Sequence, residues 1–159
     1  MSTPVSMLEK RRIEAEILAE VYDVVKQRQG QEEAEAVIRE AVAHSAIAQG
    51  KSFRQEYDHE PNLKDFATHL HHWEKGDALE RKVLRSEADR LDYDIVRCEY
   101  ANMYREMGLG HIGHLLSCNR DSSFCIGYNP EMELTRTQTI MEGAAFCDFR
   151  YRMKGRKKD

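Results

Sequence analysis

Between Leu8 and Ile47 the apolar residues recur at helical spacing, and a single glycine in mid-course, Gly30, interrupts them. Leu8, Ile13, Ile17, Leu18, Val21, Val24 and Val25 mostly follow i, i+3, i+4 steps, which predicts an amphipathic helix over 6–29. A second begins near Gln31-Glu32-Glu33, carries Ala34, Val37, Ile38, Ala41, Val42 and Ile47, and should end at Gly50. The two make a helical hairpin. A third helical element follows Glu60-Pro61, capped by Asn62 with Asp65 three residues on, and runs through Phe66, Leu70 and Trp73 to Gly76.

After Gly76 the period changes. Residues 78–85 and 91–98 are short runs separated by the polar Ser86-Glu87-Ala88-Asp89, which predicts a strand pair. A short helix over 99–107 and another over 111–117 come next. The end of the chain reads as a three-stranded meander: 122–128, a turn at Asn129-Pro130-Glu131, 133–141, a turn around Glu142-Gly143, and 145–153. In the last strand Phe146, Asp148, Arg150 and Arg152 fall on one face, and Cys147, Phe149, Tyr151 and Met153 on the other. The expected fold is therefore α+β, with the N-terminal helical hairpin and further helices packed on an antiparallel sheet of about five strands. The 159 residues fit one domain: a mainly helical part over 1–75, an α+β part over 76–153, and a basic tail over 154–159.

Several functions are excluded by composition. A formal charge of -4 provides no electrostatic case for nucleic acid, and the basic tail reads as a solvated end. No run approaches the roughly 18 apolar residues of a membrane span, and no apolar signal core precedes Glu9, so a cytoplasmic location is expected. In that compartment the four cysteines, Cys98, Cys118, Cys125 and Cys147, stay reduced and are candidate nucleophiles, metal ligands or buried thiols.

The chemistry gathers in the last third. A thiolate attacking an electrophilic carbon needs a neighbouring cation or base and a donor for the developing charge. Cys147 beside Asp148, with Arg136 and Arg150 across a hairpin and the hydroxyls of Thr137 and Thr139 on one face, supplies all three. The competing reading packs Cys147 and Phe149 into the core and leaves Arg136, Asp148 and Arg150 as cross-strand ion pairs. A metal site is a further alternative. His111, His114 and Cys118 stand at i, i+3, i+7, and Cys98 or Asp121 would complete a tetrahedral set suited to a divalent ion such as zinc. His69, His71 and His72 read as a polar helix face. Neither a Walker loop nor a Gly-x-Gly-x-x-Gly turn occurs, so no nucleotide cofactor is expected, and no Gly-x-Ser-x-Gly elbow marks a serine hydrolase.

The run Arg97-Cys98-Glu99-Tyr100-Ala101, the stretch Leu116-Ser117-Cys118-Asn119-Arg120-Asp121, the Gly127-Tyr128-Asn129-Pro130 turn, Arg136-Thr137-Gln138-Thr139, and Gly143 with Cys147-Asp148-Phe149-Arg150-Tyr151 resemble, in order and spacing, the L-2-amino-thiazoline-4-carboxylic acid hydrolase family. The resemblance implies a small cytosolic bacterial protein that opens a cyclic amidine, a hydrolase acting on a non-peptide carbon-nitrogen bond. It carries over Cys98, Cys118, Asp121, Arg136, Thr137, Thr139, Cys147, Asp148 and Arg150 as the family's recurrent polar positions, and leaves Cys125, His111 and His114 outside the pattern. The expected nucleophile is the thiolate of Cys118 or Cys147, then Cys98, or a water activated by Asp121 or Asp148. Arg136 or Arg150 would anchor the substrate carboxylate, with Thr137 and Thr139 hydrogen bonding the ring. A small-molecule substrate is the expected partner, without nucleic acid or membrane. No cofactor is expected if the metal alternative fails. The N-terminal helices offer a surface for a homo-oligomer. A non-enzymatic module binding a small carboxylate or heterocycle would use the same pocket.

Overall fold

The structure, a computed structural model, describes residues 4–155. Helix α1 spans Met7–Gln29 and α2 spans Gln31–Arg54, joined at Gly30. Ser6 caps the first, its Oγ accepting from Glu9 N at 3.1 Å. The joint needs glycine because its φ is 97°, a conformation that clashes with any β-carbon. The buried positions of α2, Ala34, Ile38, Val42, Ala46 and Gly50, are spaced by four, one line along the helix.

Helix α2 runs one turn past the expected stop at Gly50. That glycine is a crossing point rather than a terminator. A β-carbon on it would lie 2.2 Å from the carbonyl oxygen of Phe124, and one on Gly127 would lie 2.0 Å from that of Ile47. Helix α2 thus meets helix α6, Asn119–Tyr128, backbone against backbone.

The third expected helix is divided into α3, Leu63–Ala67, and α4, His71–Glu74. Asn62 and Asp65 form the expected reciprocal cap. His69 between them is buried and hydrogen bonds Tyr57 Oη at 2.6 Å, which makes it part of the packing. His71 and His72 remain exposed.

Strands β1, Leu79–Ser86, and β2, Arg90–Cys98, pair antiparallel as expected, and helix α5, Glu99–Glu106, follows directly. The predicted helix over 111–117 is a π-helical turn over His114–Cys118, with Asn119 N bonded to His114 O five residues back. It runs straight into α6.

The meander needs correction. Residues 122–128, expected as a strand, lie within α6, where Phe124, Cys125 and Tyr128 are buried on one helical face. In place of the strand expected over 133–141, β3 runs only over Met132–Thr135, a single 3₁₀ turn occupies Ile140–Glu142, and β4 is Cys147–Met153. The β-branched and aromatic content of 122–128 favours a strand locally, but the glycine contact with α2 is available only to a helix, and packing overrides propensity. The sheet has four antiparallel strands in the order β1-β2-β4-β3. Tyr93 of β2 stands opposite Phe149 of β4, and their rings stack at 4.8 Å. Cys147, Phe149 and Tyr151 share one face of β4 as expected, and that face points inward.

Two apolar clusters fill the interior. One lies among α1, α2, α5 and the π-helical turn, and the other lies between the sheet and helices α3 and α6. Leu79, Cys98 and Ile140 touch both. Ile13, Ile17, Val21 and Val24 of α1 face solvent. None of the described helices is long and apolar enough to cross a membrane. Most of the basic tail, residues 156–159, lies outside the described residues.

Candidate functional site

Where the two clusters meet, the chain forms a partly open cavity of about 110 Å³. An apolar cavity of about 150 Å³ is known to hold benzene; this one is smaller but partly open, so a single small ring is the most it takes. Its aromatic walls are Phe66, Trp73, Tyr93, Phe124 and Phe149.

The polar groups in the cavity come from widely separated places in the chain. The π-helical turn delivers Cys118, and the first turn of α6 delivers Arg120 and Asp121. The extra residue in a π turn rotates the helix beyond it, which brings Ser117, Cys118 and Asp121 to the same wall. Strand β2 ends in Cys98, and β4 begins with Cys147. Arg136, just past β3, reaches in over the face of Phe149, with its guanidinium carbon 4.9 Å from the ring centroid.

The central contact is the pair Arg136–Asp121, Nη1 to Oδ2 at 2.7 Å. Arg136 Nη2 also donates to the carbonyl of Cys118 at 3.1 Å. Burial raises the Asp121 pKa from its ordinary value, while Arg136 pulls it the other way. Among the described residues no hydrogen bond engages Asp121 Oδ1. The result is a carboxylate with one oxygen fixed, the other open to the cavity, and an elevated proton affinity, which is what a general base requires.

Cys98, Cys118 and Cys147 all line this cavity, and burial raises the pKa of each. Cys147 is pushed up to about 11, against the hydrogen bond that Ile140 N–H donates to its sulfur at 3.2 Å. Cys98 caps α5, its sulfur accepting from Ala101 N at 3.4 Å. These thiols are un-ionised near neutral pH, so they are poor nucleophiles as they stand. Cys125 is buried in the core beneath α6 and is absent from the cavity wall.

The other expected site residues lie away from the cavity wall. Asp148 accepts from Thr137 Oγ1 at 2.5 Å and from the backbone N–H groups of Thr137 and Gln138 at 2.9 and 3.0 Å. It pins the segment between β3 and the 3₁₀ turn to strand β4. Thr139 caps that turn, its Oγ1 accepting from Glu142 N at 3.2 Å. Arg150 pairs with Asp94 at 2.9 Å across β2–β4. The expected ion pairing among Arg136, Asp148 and Arg150 does not form: Arg150 pairs across the strands with Asp94, Asp148 is engaged by Thr137 and Gln138, and Arg136 turns to Asp121.

His111 is exposed, its ring edge against Tyr22, and the π-helical turn begins only at His114. The spacing that would align His111, His114 and Cys118 on a regular helix is lost. Among the described residues no group of three or more His, Cys, Asp or Glu side chains is placed to hold a metal ion.

Sequence reasoning missed Arg11, Gln49 and Trp73, all on the wall. Arg11 carried a readable signal: it stands on the same helical line as the buried Met7, Ala15 and Tyr22, where a charged residue has no solvent. Arg120 was quoted only as part of a motif, yet it is 8% exposed.

Fold and site together define a small α+β protein in which a helical hairpin and an antiparallel sheet flank helix α6 and line a small cavity that holds a half-buried arginine-aspartate ion pair. The chain belongs to the L-2-amino-thiazoline-4-carboxylic acid hydrolase family, whose model matches residues 10–151. Among solved structures it is similar in fold to the phenol-responsive sensory domain of the transcription activator PoxR with phenol, at 9% identity and a TM-score of 0.51, over 87% of this chain and 73% of that one. No curated protein matches the chain.

Proposed function

We propose that the protein is a hydrolase that opens a small cyclic amidine or related heterocycle in this cavity, with Asp121 as the base that activates water. The observation that carries the reading is the Asp121 carboxylate, held through one oxygen by Arg136 and facing the cavity beside Cys98, Cys118 and Cys147. Family membership supports the reaction class.

In this reading the ring lies between the aromatic walls, with its amidine carbon toward Asp121. Water adds to the carbon of the protonated amidine: a C–O bond forms, one water proton passes to Asp121, and the C=N π pair moves onto the nitrogen. The tetrahedral centre then collapses, its hydroxyl becoming the carbonyl as that proton leaves to solvent, and the bond to a ring heteroatom breaks, the heteroatom departing with the proton held by Asp121. Arg136 keeps the carboxylate oriented throughout. Asp148 has its oxygens engaged by Thr137 and Gln138 and is a weaker choice of base. The un-ionised thiols form wall rather than nucleophile, and their role is tested directly. Metal-free protein and its Cys98→Ala, Cys118→Ala and Cys147→Ala variants are assayed for ring opening of 2-aminothiazoline-4-carboxylate. Each variant should retain turnover within a few-fold; a single silent cysteine variant with intact fold would establish covalent catalysis instead.

A second reading is a module that binds a small ring without turning it over. The aromatic walls around Trp73 and Phe124 favour it, as does the likeness in fold to a sensory domain. A ligand that raises the melting temperature while the wild type releases no product would select it. For quaternary structure, the exposed apolar stripe of α1 supports self-association through the N-terminal helices, which sedimentation at several concentrations checks.

A further inference from the structure

We propose that the helix-side wall of the cavity, formed by Arg11 and Arg120, is an anion subsite that receives the carboxylate of a small planar-ring acid. The inference rests on the cavity being the ligand site proposed above, and it assigns carboxylate recognition to residues other than Arg136 and Arg150.

Both side chains are buried, Arg11 at 3% and Arg120 at 8% exposure. Both converge on one neutral acceptor, Gln49 Oε1, at 3.5 and 3.1 Å. Arg11 has a counter-charge, since its Nη1 meets the two oxygens of Glu14 at 3.0 and 3.2 Å. Arg120 does not. Its remaining contacts are to Ser45 Oγ, at 3.4 Å from each terminal nitrogen, and its Nε is buried without a partner. The neighbouring acid, Asp121, is tied to Arg136.

A guanidinium taken out of water needs charge compensation and satisfied donors; Arg120 touches no carboxylate, is offset only through space by Glu14 and Asp121, and keeps its Nε unsatisfied. Burial draws its pKa down to about 10 and the positive charge of Arg11 adds to that pull, while Glu14 and Asp121 offset part of it. A cation kept at such a cost, on the wall of a cavity, is matched by an anion that arrives with the ligand. Trp73 and Phe124, ring centroids 5.6 Å apart, give the ring an apolar surface in the same cavity. Arg136 remains free to hold Asp121, so binding and chemistry fall to different arginines.

The test uses benzoate and its neutral isostere benzamide on the full chain. Trp73 is the only tryptophan and lines the cavity, so its fluorescence reports occupancy, with calorimetry as the second readout. The wild type should bind benzoate at least about tenfold more tightly than benzamide. Arg120→Gln should abolish that preference with benzamide binding unchanged, and Arg120→Lys should restore part of it. Equal binding of the two probes, no benzoate binding at millimolar concentration, or a benzoate preference that survives Arg120→Gln would overturn the assignment. Should Arg120→Gln fail to fold, Arg120→Met takes its place, with the same loss of preference expected and a preference that survives it overturning the assignment. Benzoate is not hydrolysed, so failure of turnover with the preference intact defeats the hydrolase reading and leaves the subsite standing.

Discussion

Arg136 Nη1 stands 2.7 Å from Asp121 Oδ2 while its Nη2 holds the Cys118 carbonyl at 3.1 Å, so one guanidinium fastens the segment after β3 to the start of α6. Replacing it with methionine leaves the Asp121 carboxylate without its counter-charge. The expected cost is about 2–4 kcal/mol, a little below that of a fully enclosed pair because the cavity reaches Asp121. Denaturant unfolding of Arg136→Met, and of the double variant Arg136→Met/Asp121→Leu, checks this: the second change should recover part of the loss.

Asp148 should matter for stability and not for chemistry. Burial raises its pKa, but the donors from Thr137 and Gln138 outweigh that and hold it below the ordinary value. Its folded pKa is thus depressed, and the stability it contributes is present above the unfolded pKa and lost as pH falls through the folded one. Asp148→Asn should lower stability at neutral pH by about 1–2 kcal/mol with kcat within a few-fold of wild type, and the difference should shrink in acid. Unfolding curves at neutral and acidic pH, beside turnover, measure both effects.

The helix crossing leaves no room for a side chain. Alanine at Gly50 or Gly127 would put a methyl group into the backbone of the opposite helix. Each substitution should cost at least about 1–3 kcal/mol by forcing α2 and α6 apart, and the cavity wall moves with them. Thermal unfolding gives the first effect, and Trp73 fluorescence the second.

Thiol chemistry should be slow. With the Cys147 pKa at about 11 and the other cavity thiols also raised, alkylation of Cys98, Cys118 and Cys147 by iodoacetamide near pH 7 should lag well behind that of a free thiol and accelerate with pH. Mass spectrometry of the labelled peptides tracks each cysteine separately. Fast labelling of one of them at neutral pH would identify an activated thiolate.

The layers of this fold were legible because they rest on periodicity. The four-residue spacing of Ala34, Ile38, Val42 and Ala46 marks a buried stripe, and alternation in β4 put Cys147, Phe149 and Tyr151 on the inner face. Helix α6 was not legible because its inward face mixes Arg120 and Asp121 with Phe124 and Tyr128. A helix that lines a polar cavity breaks the hydrophobic pattern by which helices are found. The motif residues were visible as a set, but strand alternation could not separate Arg136, which turns inward to Asp121, from Arg150, which stays in the sheet with Asp94. Arg11 lay far from the motif in sequence, and only tertiary packing brings it to the same wall.

Asp121 as the base is the centre of the account, and the pH dependence of kcat/KM for 2-aminothiazoline-4-carboxylate, measured on the wild type and Asp121→Asn, tests it most directly. The base must be ionised and its folded pKa is raised, so the wild type should lose activity as pH falls through a limb above the unperturbed aspartate value of about 3.9. Asp121→Asn should lose about 10²–10⁴ in rate and show no such limb. Retention of wild-type turnover, with the same acid limb, by a folded Asp121→Asn protein would contradict the account.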